Sequence, residues 1–176
     1  MKHVYFVRHG ESEANALKRL GSRSATPLTA LGHQQIEDGA VHAKNAGLKV
    51  DLMLVSPLKR AQQSGAILAD ILKPPKTELY EEITEQDLGP YENASYADYD
   101  NFLDFEESLQ GKVGVETAEA MQLRAQATVE YLESRPEDTI LLVSHSSFAP
   151  YLFAAVGSTL VHPEKPIING QIVRMI

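Results

Sequence analysis

Three short runs, Val4–Val7, Val50–Val55 and Thr139–Ser144 (TILLVS), limit what this chain can become. Each is too short for a self-sufficient helix and is apolar almost without break, the pattern of a strand covered on both faces. Segments with helical spacing separate them. Strand then helix, repeated, leads to a mostly parallel sheet with helices on either side. The expected fold is α/β: a single-domain three-layer α/β/α sandwich over residues 1–176.

Glu13 to Leu20 is a short helix candidate, followed by a loop from Gly21 to Pro27. Lys18, Arg19 and Arg23 are either a solvated face or a basic rim that steers an anion. Thr29 reads as the N-cap of a helix to about Ala46, with Leu31, Gln35, Ile36, Ala40 and Val41 on one face and Gly47 as its C-cap. His33 and His42 fall on nearly opposite faces of it and cannot share a metal. Ser56-Pro57-Leu58-Lys59-Arg60 starts a helix reaching Leu72, with Pro57 in its first turn. Thr77 to Glu81 reads as a third strand.

Residues 86 to 116 form a small acidic cap inserted over the sheet's rim. Within it, 94 to 112 carries Asp98, Asp100, Asp104, Glu106 and Glu107 among Tyr96, Tyr99, Phe102, Phe105 and Leu109, which fits one or two short amphipathic helices. Thr117 to Glu133 is a helix with Met121, Ala125, Val129 and Leu132 on one face. Ser146 or Ser147 caps a helix to about Val156, and Gln171 to Ile176 makes a closing strand.

The net charge of −8 disfavours nonspecific nucleic-acid binding. No apolar run is long enough to span a membrane. Met1-Lys2-His3 leads straight into a strand, so no signal peptide is expected and the cytoplasm is the expected compartment. The absence of cysteine removes disulfides, thiolate metal sites and a cysteine nucleophile.

In a parallel sheet Arg8, His9, Arg60 and His145 all lie just past the carboxyl ends of strands, where open α/β folds hold ligands. Two arginines, two histidines and Asn15 suggest a phosphate pocket, because guanidinium forks supply both charge and donors. Gly10 permits close backbone approach. The attacking atom could be an imidazole nitrogen or metal-bound water. Metal is the weaker reading, since neighbouring arginines would repel the ion. Other phosphate devices, GxxxxGK[ST] and DxDx[TV], are absent.

An ordered set of motifs spans nearly the whole chain: Arg8-His9-Gly10-Glu11-Ser12 with Asn15; Pro27-Leu28-Thr29-x-x-Gly32-x-x-Gln35; Ser56-Pro57-Leu58-x-Arg60-Ala61. Glu85 with Gly89 and Glu92, Glu116 with Arg124, and Val143-Ser144-His145 follow. The set resembles the histidine phosphatase superfamily, in the branch with cofactor-dependent phosphoglycerate mutases. The resemblance implies that His9 is the nucleophile, forming a phosphohistidine that water hydrolyses, with no metal or other cofactor. It implies that Arg8, Arg60 and His145 hold the phosphoryl oxygens, helped by Ser12, Asn15, Gly21 and Ser146. Glu85 would protonate the leaving oxygen and then activate water. His145 is expected to serve protonated; Glu11, Glu116 and Arg124 are assigned to holding the fold.

Some positions depart from the family pattern. Mutases carry Arg-His-Tyr after the acid glutamate, where this chain has Gln86-Asp87-Leu88, and they place cations in the cap, where only Lys112 occurs here. Ala25 replaces the usual aspartate before Pro-Leu-Thr, Asn93 replaces a glycine, and Ser146 and Ser147 stand where glycine is common. The expected function is hydrolysis of a small phosphorylated metabolite. Phosphoglycerate mutase and protein phosphohistidine phosphatase are the alternatives among enzymes; a catalytically silent phospho-ligand binding module is the alternative outside them.

Overall fold

The computed structural model describes residues 2–97, 108–161 and 166–176. Five strands make one sheet: β1 (His3–Arg8), β2 (Leu52–Val55), β3 (Lys76–Leu79), β4 (Thr139–Ser144) and β5 (Ile172–Arg174), in the order β3-β2-β4-β1-β5. The first four are mutually parallel, and β5 runs antiparallel beside β1. The apolar runs explain the arrangement. β2 is buried at every residue and β4 at all but its first, so they occupy interior positions, whereas the polar β3 sits on an edge.

Alternation along the strands divides the core between two faces. Val4, Phe6, Leu52, Leu54, Ile140 and Leu142 face one side. They pack there on Met121, Ala125 and Leu132 of α4 (Ala118–Ser134) and on Leu152 and Phe153 of α5 (Ala149–Ala155). Val7, Met53, Val55, Leu141 and Val143 face the other. Their partners are Ile36 and Ala40 of α2 (Ala30–Asn45) and Ala61 and Leu68 of α3 (Lys59–Leu72). The result is the expected three-layer sandwich. No helix among the described residues is long and apolar enough to cross a membrane.

Several local readings need correction. The first helix, α1, is one turn, Glu13–Ala16. Leu31 and Val41 are exposed, and the buried stripe of α2 is Gly32, Ile36, Ala40 and Ala43. The helix leans too close for large side chains: a Cβ on Gly32 would lie 2.1 Å from the Glu11 carbonyl oxygen, and one on Gly10 would lie 2.2 Å from that of Gly32. The close approach permitted by Gly10 is used for this packing. Pro57 precedes the α3 N-cap, Leu58, and so stands outside the first turn. Neither Ser146 nor Ser147 caps α5, whose N-cap is Phe148 without a side-chain bond. The third strand ends at Leu79, and Glu81 opens a 3-10 turn. Asn93 adopts the left-handed conformation, φ 64°, that a glycine would take.

The insertion is closed at its base. The Glu116 N–H donates to Asp87 O (2.7 Å), Asp87 N–H to Glu116 Oε2 (3.0 Å), and Gln86 Nε2 to Glu116 O (2.8 Å). The short helices expected over 94 to 112 fall largely on 98–107, outside the described residues; Leu109 beyond them is buried against Leu20 and Leu88.

Candidate active site

Strand register sets the centre. The last paired residues of β1 and β4 are Arg8 and Ser144, and His9 N–H donates to Ser144 O at 3.0 Å. His9 and His145 therefore follow from neighbouring parallel strands, which lie about 4.8 Å apart. Their rings are 5.0 Å apart, centroid to centroid, tilted by 56°. β2 ends one register back, at Val55 opposite Val143, and its next residue, Ser56, has Oγ 2.7 Å from His145 Nε2.

The partners of His9 fix its tautomer. Nδ1 lies 2.7 Å from Gly10 O, and a carbonyl only accepts, so Nδ1 carries the hydrogen. Nε2 accepts from Arg60 Nε at 3.1 Å, and a guanidinium only donates, so Nε2 presents its lone pair. Burial, and then the charges of Arg60 and Arg8, hold the imidazole pKa well below its ordinary value, against a small opposing effect from Gly10 O. His9 is thus neutral, with Nε2 as the basic nitrogen.

Arg60, second residue of α3, is 2% exposed and anchored to the loop after Leu20. Nη1 donates to Gly21 O (3.2 Å) and Ser24 O (3.3 Å), and Nη2 to Ser22 O (2.7 Å). With Nε on His9, four of the five guanidinium hydrogens have protein acceptors, leaving one on Nη2. Ser22, buried and missed in the sequence, ties this loop onward: its hydroxyl donates to Gln86 O (2.9 Å) and accepts from Leu88 N–H (3.0 Å). Arg8 donates from Nη1 to Ile167 O at 3.1 Å; its Nε is buried without a partner among the described residues.

Glu85 is buried, with Oε1 accepting from Gln86 N–H (3.0 Å) and Oε2 from Ser147 N–H (3.3 Å). The chain before it is held by Arg124 of α4. That guanidinium grips Glu116 with two bonds of 3.0 Å, donates to Glu82 O (2.6 Å) and Thr84 O (2.8 Å), and lies 4.3 Å from the Phe148 ring centroid. Glu11 accepts from the Thr29 hydroxyl at 2.7 Å, fixing the start of α2.

Arg8, His9, Asn15, Gly21, Arg60, Glu85 and Ser146 share the wall of a cavity of about 1020 Å³. His145 and Ser12 do not reach that wall. His145 is fully buried, and burial followed by the charge of Arg60 holds its pKa well below the ordinary value, whereas the protonated form expected from the sequence is that of a donor to bound phosphate. Its Nδ1 has no partner among the described residues. Ser12 caps α1: its Oγ accepts from Asn15 N–H (3.3 Å) and donates to Asn15 Oδ1 (3.0 Å), which also accepts from Ser12 N–H (3.1 Å). That arrangement leaves the Asn15 amide hydrogens for the cavity. Of the three cations read as a possible rim, Arg19 lines the cavity, Lys18 does not, and Arg23 lies 4.0 Å from Glu116. No cluster of three metal-ligating side chains occurs among the described residues.

A neutral imidazole set between two arginines, with a carboxylate on the same wall, can attack a phosphoryl group and manage the proton of its leaving oxygen. Several known proteins are similar to this chain. A protein described as a probable phosphoglycerate mutase, GpmB, from Enterobacter sp. strain 638 is 33% identical over 82% of this chain and 70% of its own length. A similarly described protein from Proteus mirabilis gives the same values. The structure of the α-ribazole phosphatase from Shigella flexneri is 26% identical, with a TM-score of 0.73 over 86% of this chain and 78% of that one. A mycobacterial glucosyl-3-phosphoglycerate phosphatase shares the fold, with a TM-score of 0.77 at 20% identity over 99% and 92% of the two chains. The profile of branch 1 of the histidine phosphatase superfamily matches residues 4–168, and the chain belongs to that family.

Proposed function

We propose that this chain is a metal-independent phosphatase that hydrolyses a small-molecule phosphomonoester through a phosphohistidine on His9. The observation that carries the reading is the lone pair of His9 Nε2, held unprotonated beside Arg60 and on the same wall as Glu85. In the first step Nε2 attacks phosphorus, the P–N bond forms, and the ester P–O bond breaks. Protonated Glu85 gives its hydrogen to the departing oxygen. In the second step water attacks phosphorus, Glu85 takes the proton, and the P–N bond breaks to release phosphate and neutral His9.

Arg8 and Arg60 hold the phosphoryl oxygens throughout. On substrate entry the Arg60 Nε–H turns from His9 to the phosphate, joined by the remaining Nη2 hydrogen, while the carbonyls of Gly21, Ser22 and Ser24 keep the fork in place. The Asn15 amide and the Gly21 and Ser146 surfaces complete the pocket. His145 packs behind His9, its ring 5.0 Å away, and bonds Ser56 at the neighbouring strand end. The chain works as one domain, with 86–116 as its cap, and needs neither a nucleic acid nor a membrane partner.

The names of the relatives also raise a mutase reading. Against it, the cap sequence offers one cation, Lys112, which is exposed and off the cavity wall. Turnover of p-nitrophenyl phosphate in EDTA tests the proposal, with His9→Ala as its control. The wild type should hydrolyse the ester and the variant should not, while still binding phosphate. Activity that requires a divalent metal, or survives in His9→Ala, would refute it; dependence on 2,3-bisphosphoglycerate would favour the mutase.

A further inference from the structure

The phosphate-holding groups take up only part of the cavity wall, and the rest of it differs in character. Tyr151, Ala154 and Ala155 of α5 and Leu88 and Leu109 beside the insertion give an apolar surface. The wall also carries Ala118, Gln122 and Gln126, spaced four apart on α4 and so aligned along one stripe. None of these side chains is charged.

Charge and size together restrict what can fill this space. The cations on the described wall are Arg8 and Arg60, both beside His9, and Arg19, which is exposed and donates to Asn93 O at 3.0 Å. The carboxylate of Glu116 is neutralised by Arg124. Among the described residues, a second anionic group on the substrate would find no buried cation to match it away from Arg8 and Arg60. Pockets of roughly 300–1,000 Å³ enclose drug-sized ligands, so a cavity of about 1020 Å³ is far larger than a phosphorylated three-carbon acid needs. The alanines leave room for a flat group, and glutamine amides supply both donors and acceptors to its edge.

Resting on the phosphatase reading above, we infer that the substrate is the monophosphate ester of an uncharged, ring-bearing alcohol about the size of a nucleoside. Tyr151, Ala154 and Leu109 hold its ring, and Gln122 and Gln126 meet its polar edge.

The test compares kcat/KM for adenosine 5′-monophosphate, glycerol 3-phosphate and 3-phosphoglycerate, in the wild type and in Ala154→Trp. Ala154 is exposed on the cavity wall, so an indole there fills the space without entering the core. The nucleotide should be preferred by about 100-fold, the equivalent of about 2.7 kcal/mol of added contact. Ala154→Trp should lower its kcat/KM by about 30-fold and leave glycerol 3-phosphate within about twofold. Gln122→Ala with Gln126→Ala should lower the nucleotide value by about tenfold and spare the small ester. Equal or better turnover of the three-carbon esters, or a uniform loss across substrates in Ala154→Trp, would overturn the inference and leave the phosphatase standing. Failure to hydrolyse any ester, p-nitrophenyl phosphate included, would remove the reading on which it rests.

Discussion

Acidification probes the two central imidazoles directly. His9 and His145 are both fully buried beside arginines, and both are held well below the ordinary histidine pKa, first by burial and then by those charges. The unfolded chain, with histidines near 6.5, binds protons that the fold rejects, so stability is greatest above about pH 6.5 and falls as the pH drops below it. Each pH unit over which an imidazole stays neutral in the fold while its unfolded counterpart is protonated costs about 1.4 kcal/mol. Two such groups cost about twice that per unit, a large share of the 5–15 kcal/mol typical of a domain. Urea unfolding at closely spaced pH values, in buffer free of phosphate and sulfate, measures the slope. His145→Asn should remove about half of the loss per unit. Added phosphate should flatten the wild-type curve, because an anion beside the imidazoles favours their charged forms. An unchanged slope in His145→Asn would refute the argument, since it would mean that other groups carry the dependence.

Arg124→Met should destabilise the fold by about 3 kcal/mol, since it strands a largely buried carboxylate and two carbonyls. It should also lower kcat, and adding Glu116→Gln should recover about half of the stability loss in a double-mutant cycle. Gly32→Ala should cost more than about 3 kcal/mol in thermal unfolding, because its Cβ meets backbone at 2.1 Å; a loss under about 1 kcal/mol would show that α2 slides freely. Glu85→Gln should reduce kcat for alkyl phosphates by about 10²–10⁴-fold, and far less for p-nitrophenyl phosphate, whose leaving anion needs little protonation. Equal losses for both esters would deny Glu85 its acid role.

The sandwich was legible in the sequence because β1, β2 and β4 announce themselves: unbroken apolar runs that end in Arg8-His9, Ser56 and His145. Side-by-side strand ends then bring those residues together without further information. The closing strand was legible between Gln171 and Ile176, but its antiparallel direction was not, because a three-residue strand carries too little pattern to state it. Ser12 misled because its second role, as a cap, depends on a single turn whose length the sequence does not mark. The carbonyls that hold Arg60 were invisible for another reason: every residue has one, so Gly21, Ser22 and Ser24 bear no signature of that contact. Gln122 and Gln126, which line the cavity, carry one signal in the sequence: their four-residue spacing with Ala118 along α4.

The meeting of Asp87 with Glu116 separates two jobs that share one cavity. Whatever the intervening loop contributes, its ends are clipped together just beyond Glu85. The entropy of closing such a segment grows only with the logarithm of its length. Leu88 and Leu109 still tie the loop to Leu20, next to the carbonyls that hold Arg60, so only positions outside those contacts can be rewritten while the carboxylate and the imidazole keep their distance.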